Sequence, residues 1–312
     1  AIGHSTLASI VLALAVGAKL YPIVLAPLLF CVLVMRFGWR VALIPSVGFV
    51  LSTWLLLAPM LPHETSGGGL ATVNGGPSNP SASQYSGYGM SVSQPGDPNE
   101  SDPSRAVRTF LSRWEMNDFI FMLVVENLKP TAGLGRGETA WFSVVPESFR
   151  QSLIEAVSRL GVAESQTPFF LTRAVTGVAF LVLAGWFAWR AARNSDVASL
   201  CEAAFLTLAW FWLLCPTQNP WYWIWALPLL PFARGRAWLA ISGMVLLYYL
   251  RFWFVAHWPN SPVLGTCYVG HAFFDFIVPC LEFGPCLGWL GWDALLRARR
   301  NVGLLARRAP HV

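Results

Sequence analysis

Long apolar runs separated by short polar ones dominate the chain. Apolar stretches of about twenty residues cross a bilayer as helices, and the pattern predicts them at 41–61, 169–189, 198–214, 221–232, 237–256 and 268–292. An earlier apolar block, residues 6–35, is interrupted by Lys19-Leu20-Tyr21-Pro22. Proline disfavours helical geometry in the residue before it, and a lysine in mid-bilayer is costly. Two short helices meeting at this turn explain both features better than one long helix. The 221–232 run is short and aromatic and contains Pro228, which predicts a broken or tilted crossing.

Between the crossings lies one long polar interval, residues 62–168. Its first part, 65–104, is rich in Gly, Ser, Pro and Asn, and such a segment buries too little apolar surface to offset ordering entropy, so it is expected to be flexible. Asn99-Glu100-Ser101 fits a glycosylation acceptor pattern, a triplet that polar linkers also generate by coincidence. Residues 106–128 and 140–160 regain apolar periodicity and predict amphipathic helices lying on the membrane face. The expected fold is therefore all-α: a polytopic transmembrane helix bundle with transmembrane helices in 1–61 and 169–296. The large loop 62–168 carries short amphipathic helices, and a basic tail follows at 297–312.

Composition sharpens this. Only 12% of residues are charged, where a soluble domain carries about a quarter, so a soluble globular enzyme is excluded. Sixteen Trp and twenty-one Phe suit lipid-facing and interfacial surface. The net charge of +5 raises the question of nucleic acid, and its location answers it. Arg36 and Arg40, Arg190 and Arg193, Arg234 and Arg236, and the arginines from Arg297 onward all flank apolar runs. That is a topology signal rather than a phosphate-binding face, and no nucleic-acid partner is expected. The long loop instead carries eleven acidic against seven basic residues. Threading the runs puts every arginine pair on one side. The positive-inside rule then predicts an integral membrane protein of a bacterial inner (plasma) membrane, with the loop extracytoplasmic and the C-terminus cytoplasmic.

Six cysteines show no spacing suited to zinc or redox chemistry, and no cofactor or metal is expected. Cys31 and Cys201 read as apolar filler, while Cys215 and Cys267 fall near one membrane face, where a disulfide is conceivable. The chain opens at Ala1 with neither Met nor a charged n-region. It therefore reads as a processed or truncated sequence.

The most informative stretch is Pro216-Thr217-Gln218-Asn219-Pro220-Trp221-Tyr222-Trp223, followed by Ile224-Trp225 and Pro228. Two prolines free backbone carbonyls, two amides offer donors and acceptors, and tryptophans supply flat faces. Such a surface suits a sugar ring; an ordinary interfacial aromatic belt would look the same. On the last crossing, His271, Asp275 and Glu282 share one helical face. They fit an acceptor pocket, a proton- or ion-coupled site, or a polar packing stripe. Asp118, with Glu115 nearby, is the acidic candidate of the loop. Arg173 and Arg251 fall near span ends, where they could meet lipid phosphates or snorkel to headgroups.

The run Asn219-Pro220-Trp221-Tyr222-Trp223-Ile224-Trp225-Ala226-Leu227-Pro228, together with Lys19-Leu20-Tyr21-Pro22, resembles the superfamily C integral-membrane glycosyltransferases. The likeness is nearest to glycosyltransferase family 87, the polyprenyl-phosphate-mannose-dependent enzymes. Trp114 with Asn117, Asp118 and Phe121 is similar to a Trp-x-x-Asn segment in their extracytoplasmic loop. The resemblance implies transfer of a sugar, mannose among the candidates, from a polyprenyl-phosphate donor to a lipid or glycan acceptor, with inversion. A carboxylate would deprotonate the acceptor, and cationic groups would stabilise the leaving phosphate.

It implies substrate contacts at Lys19, Tyr21, Asn117, Asp118, Gln218, Asn219, Trp221, Tyr222, His271 and Asp275, with surrounding membrane lipids as further partners. Two departures stand out. The family's catalytic aspartate follows its first span and is expected to lie outside this chain, so no catalytic residue is assigned. The family's usual histidine before Pro-Trp-Tyr is Asn219 here, which cannot transfer a proton near neutral pH. A membrane transporter or lipid flippase, and a non-catalytic membrane scaffold, remain alternatives.

Overall fold

A computed structural model describes residues 2–58, 118–194 and 196–308. The described residues are helical, with no strand beyond an isolated bridge between Pro262 and Val269. Among the described residues, five helical stretches are long and apolar enough to cross a membrane: Trp39–Leu57, Glu164–Arg193, Val197–Leu214, Ala237–His257 and Gly270–Arg300. Shorter apolar helices occupy Gly3–Ala18 and Tyr21–Phe37. The chain is an all-α integral membrane protein.

Two compact units are present, Ala1–Pro22 with Ile44–Glu115, and Ile23–Leu43 with Met116–Val312. In the first, α1 (Ile2–Ala18) ends at the expected break, and a 3-10 turn, Tyr21–Leu25, takes the chain on. Gly17 lets Leu56, near the end of α3 (Trp39–Leu57), approach so closely that a Cβ there would sit 2.9 Å from Leu56 Cδ1. Ser9 and Thr53 are buried hydroxyls of this unit.

The second unit contains α2 (Ala26–Phe37), α4 (Ile120–Leu128), α5 (Glu147–Ser158), α6 (Thr167–Arg193) and α7 (Val197–Leu214). Leu28 and Val32 of α2 pack against Phe187, Ala188 and Ala191 of α6 and Ala203 of α7. The small residues let the backbones close up, as membrane helices require where apolar burial gives no drive. Beyond α7 come α8 (Pro220–Trp223), a 3-10 segment at Leu227–Phe232, and a crossing composed of α9 (Ala237–Met244), a 3-10 turn and α10 (Leu250–His257). The final helix, α11, runs Gly270–Arg308. At 1.5 Å per residue its 39 residues measure about 58 Å, nearly twice a hydrocarbon core of about 30 Å. The basic tail beyond residue 297 thus continues the helix as far as Arg308.

The 221–232 segment, expected as a crossing, is broken as Pro228 predicted and is not among the five long apolar helices. Its two ends define its path. Gln218 donates to Leu213 O at the far end of α7 (2.7 Å), and Arg234 Nε meets Glu202, six residues into α7, at 3.1 Å. The segment therefore runs the length of α7. Twelve residues in α-helix would extend only about 18 Å; the steeper rise of 3-10 helix, about 2 Å per residue, lengthens the reach.

The loop differs from expectation in its helix bounds. Residues 118 and 119 are not helical, and α4 begins at Ile120 rather than within a helix from 106; residues 106–117 lie outside the described ones, as do Asn99, Trp114, Glu115, Asn117 and the 65–104 segment. Residues 140–146 are irregular and α5 starts at Glu147, because Pro146 disfavours helix in the residue before it. Helix α4 packs one face inward against α6. Phe121, Met122 and Val125 are buried, and Phe121 meets Phe169 of α6 edge-on at 5.2 Å.

Between the two loop helices, the buried Arg150 donates to Lys129 O and to Ser143 Oγ, both at 2.6 Å. Glu147 accepts from the Thr131 amide at 3.0 Å and its hydroxyl at 2.9 Å. The amide bond above all holds the Glu147 carboxyl below its usual range. A carboxyl depressed in the folded state adds stability above its unfolded pKa of about 4.3, and loses it as pH falls through the folded value. The Glu147→Gln variant is expected to melt below wild type at pH 6–7, with the gap closing as pH is lowered past 4. A gap independent of pH would remove this role.

Candidate functional site

Hydrogen bonds fix which ends of the helices in the second unit come together. Arg36, at the end of α2, donates through Nη2 to Asn194 O just beyond α6 (3.0 Å). Arg190 of α6 and Arg234 both reach Glu202 of α7. The carboxylate of Asp293 lies beside Gly235. All these groups share one end of the unit, the arginine end. The expectation that successive arginine pairs fall on one side is met for these residues.

At the opposite end, α7 stops at Leu214 and the chain turns through Cys215-Pro216-Thr217-Gln218-Asn219 before Pro220 opens α8. The last carbonyls of a helix need donors from outside it. Gln218 supplies them, giving Nε2 to Leu213 O (2.7 Å) and Cys215 O (3.4 Å). Its Oε1 accepts from the Phe119 amide at 3.3 Å, and the side chain is fully buried. One amide thus caps α7 and stitches the Asp118–Phe119 segment to the turn. This structural work occupies the side-chain amide that the resemblance implied as a substrate contact.

Asn219 differs. Its backbone carbonyl accepts from Trp212 Nε1 (3.3 Å) and Tyr222 N (3.0 Å). Its side-chain amide is wholly buried, and among the described residues neither Nδ2 nor Oδ1 has a hydrogen-bond partner. Leaving a buried amide unmet costs about 1–3 kcal/mol per group. An aromatic wall surrounds this turn: Phe119 stacks on Phe283 (5.9 Å), Phe283 meets Trp212 (5.6 Å), and Trp212 meets Trp223 (4.8 Å).

The tryptophans of the turn do not act alike. Trp223 is buried, with its Nε1 donating to Ser242 Oγ at 2.9 Å, so it is core and offers no open face. Trp221 is exposed and packs edge-on to Tyr248; Tyr222 is half-buried against Trp225 at 4.7 Å. Asp118 is buried beside Phe119. Arg173 lies over the Phe169 ring at 4.3 Å and close enough to Cys215 to act on it electrostatically. Burial nonetheless pushes the Cys215 thiol up to about 12.

Cys215 and Cys267 are both free, which corrects the disulfide considered for them. Cys267 donates instead to Arg136 O at 3.4 Å. On α11, Asp275 and Glu282 are buried while His271 is exposed at the outer end of the same stripe. Lys19 is exposed and Tyr21 half-buried in the other unit.

Sequence reasoning missed Glu202 and Arg150. A lone glutamate early in an apolar run that follows Arg190 and Arg193 was the signal for the first; nothing local marked the second.

Compared with family models, with curated protein sequences and with solved structures, the chain matches none. Fold and site define an all-α integral membrane protein whose buried turn of amides and aromatic rings lies opposite its arginine end.

Proposed function

We propose that this chain is a membrane glycosyltransferase-like protein that handles a polyprenyl-phosphate sugar, mannose among the candidates, and passes it to a lipid or glycan acceptor. The observation that carries the reading is the Phe119 amide bond to Gln218 Oε1. It joins two segments about a hundred residues apart, each singled out separately for its resemblance to the same enzyme class. The positive-inside rule makes the arginine end cytoplasmic and the buried turn extracytoplasmic, the side on which such a lipid-linked sugar is consumed.

In this reading Asn219 presents one donor and one acceptor to adjacent hydroxyls of the sugar, relieving its own unmet groups. Asp118 contacts the acceptor hydroxyl, and Trp221 and Tyr222 flank the entrance from the bilayer. The acceptor oxygen bonds to the anomeric carbon, the bond from that carbon to the phosphate oxygen breaks, and the proton passes to a carboxylate.

The test is transfer of label from radiolabelled polyprenyl-phosphate mannose to endogenous acceptors in membranes carrying the chain. Label transfer that disappears in Asp118→Asn and Asn219→Leu supports the reading; membranes that neither bind the donor nor transfer label refute it. Asn219→Leu carries a second expectation, because it removes two unmet polar atoms at nearly constant volume. Its melting temperature should rise, by the equivalent of about 1–3 kcal/mol, while transfer is lost. A fall in stability would mean that the amide is already satisfied. The buried carboxylates Asp275 and Glu282 favour one second reading, an ion-coupled transporter. Proton-driven flux in proteoliposomes would select it.

A further inference from the structure

The arginine end carries chemistry that sugar transfer does not use. On α6, Trp186, Trp189, Arg190 and Arg193 recur at three- and four-residue spacing, so they form one stripe along the helix. Trp186 and Trp189 are exposed and pack together at 5.1 Å. Arg193 lays its guanidinium over the Trp189 ring at 4.0 Å. Arg36 arrives from α2 and fixes itself to the Asn194 carbonyl next in the chain. Going down the stripe from the helix end, two cations give way within about 10 Å to two lipid-facing indoles. That is the order of a phospholipid: phosphate outermost, then the glycerol and ester level where indoles settle.

The charge balance points the same way. Glu202 is one carboxylate shared by Arg190 and Arg234, which leaves that trio with a net positive charge. Among the described residues no carboxylate pairs with Arg36 or Arg193. Both are exposed. Arg36 spends one N–H on Asn194 O, and its remaining donors stay available for an oxyanion.

We infer that Arg36 and Arg193, above the Trp186–Trp189 pair, form a binding site for the phosphodiester headgroup of an anionic phospholipid of the phosphatidylglycerol class. A zwitterionic lipid brings its own ammonium to the same cations and gains less from them. A free phosphate has no acyl chains to lay on the indoles.

The full chain purified in detergent is titrated with phosphatidylglycerol, phosphatidylcholine or inorganic phosphate, and retained lipid is counted by native mass spectrometry alongside the melting temperature. Phosphatidylglycerol is expected to be retained and to raise the melting temperature, with the other two weaker. In Arg36→Gln/Arg193→Gln its apparent affinity should fall about tenfold or more, the loss of two basic residues near a headgroup. Arg297→Gln/Arg299→Gln removes the same charge from α11, outside the α6 stripe, and should leave the affinity within about twofold. Equal retention of phosphatidylcholine, an equal effect of inorganic phosphate, or equal losses in the two double variants would each overturn the site. None of these readouts depends on sugar transfer.

Discussion

Replacing Gly270 with alanine is expected to be among the most damaging single substitutions in the second unit. Gly270 opens α11 where the preceding crossing ends. A Cβ there would fall inside contact distance of the Phe254 carbonyl oxygen and 2.7 Å from Trp258 O. Both obstacles are backbone, so no rotamer change relieves the clash. The Gly270 amide donates to Trp258 O at 2.7 Å, and the Phe254 and Phe273 rings meet at 4.9 Å just beyond it. Forcing α10 and α11 apart sacrifices both. Overpacking usually costs about 1–3 kcal/mol and more where the backbone must move; roughly 3 kcal/mol or above is expected here. Thermal melting in detergent checks this against Gly284→Ala on the same helix, where a Cβ meets nothing within 4 Å. That control should be neutral or gain up to about 1 kcal/mol of helix propensity. Equal melting temperatures for the two variants would refute the close approach.

The second large effect lies at the arginine end. Glu202 is buried, with side-chain exposure of 7%, while its partners are far more open, Arg190 at 40% and Arg234 at 65%. The three groups therefore do not contribute symmetrically. Either arginine alone is close to a surface ion pair, so losing one while the other remains should cost at most about 1 kcal/mol. Losing both strands a buried carboxylate, for which about 3–5 kcal/mol is the usual penalty. Arg190→Met/Arg234→Met should thus destabilise by much more than the sum of its single variants. Adding Glu202→Gln to the pair should recover most of the loss, because the stranded charge is gone. An additive double variant, or no recovery in the triple one, would show that the carboxylate is not what the arginines hold. Chemical denaturation of the wild type and these four variants in the same detergent decides it.

Much of this architecture was legible in the chain, for reasons that particular residues make plain. Lys19 and Pro22 announced the break after α1 because a costly mid-bilayer charge and a missing amide fall together there, whereas α3 carries Pro45 without a charge beside it. The arginine pairs announced which helix ends come together, since each pair had to leave the bilayer. Loop helix bounds were less legible. Pro146 was visible, but the periodicity of the residues before it outweighed its effect in the expectation.

At the candidate turn, residue type did not reveal which groups serve packing. Gln218 looked like a ligand group, yet the place where α7 stops turns its amide into a cap. Trp223 looked like one more stacking face, yet it faces Phe205, Trp212 and Trp238 inside the bundle. Side-chain direction within a broken segment depends on where the helix gives way to 3-10 geometry, and residue type alone does not encode that.

The broken crossing also bears on how the protein is made. As the ribosome delivers residues 220–232, the insertion machinery meets a stretch too short and too interrupted by proline to partition into lipid unaided. Its open backbone groups need neighbours before they can leave water. Helix α7, delivered just before it, is such a neighbour: Gln218 ties the start of the stretch to Leu213, and Glu202 waits for Arg234 at its end. The two are therefore expected to enter the bilayer as a hairpin, with the glutamate that holds the finished bundle marking the step at which its assembly can fail.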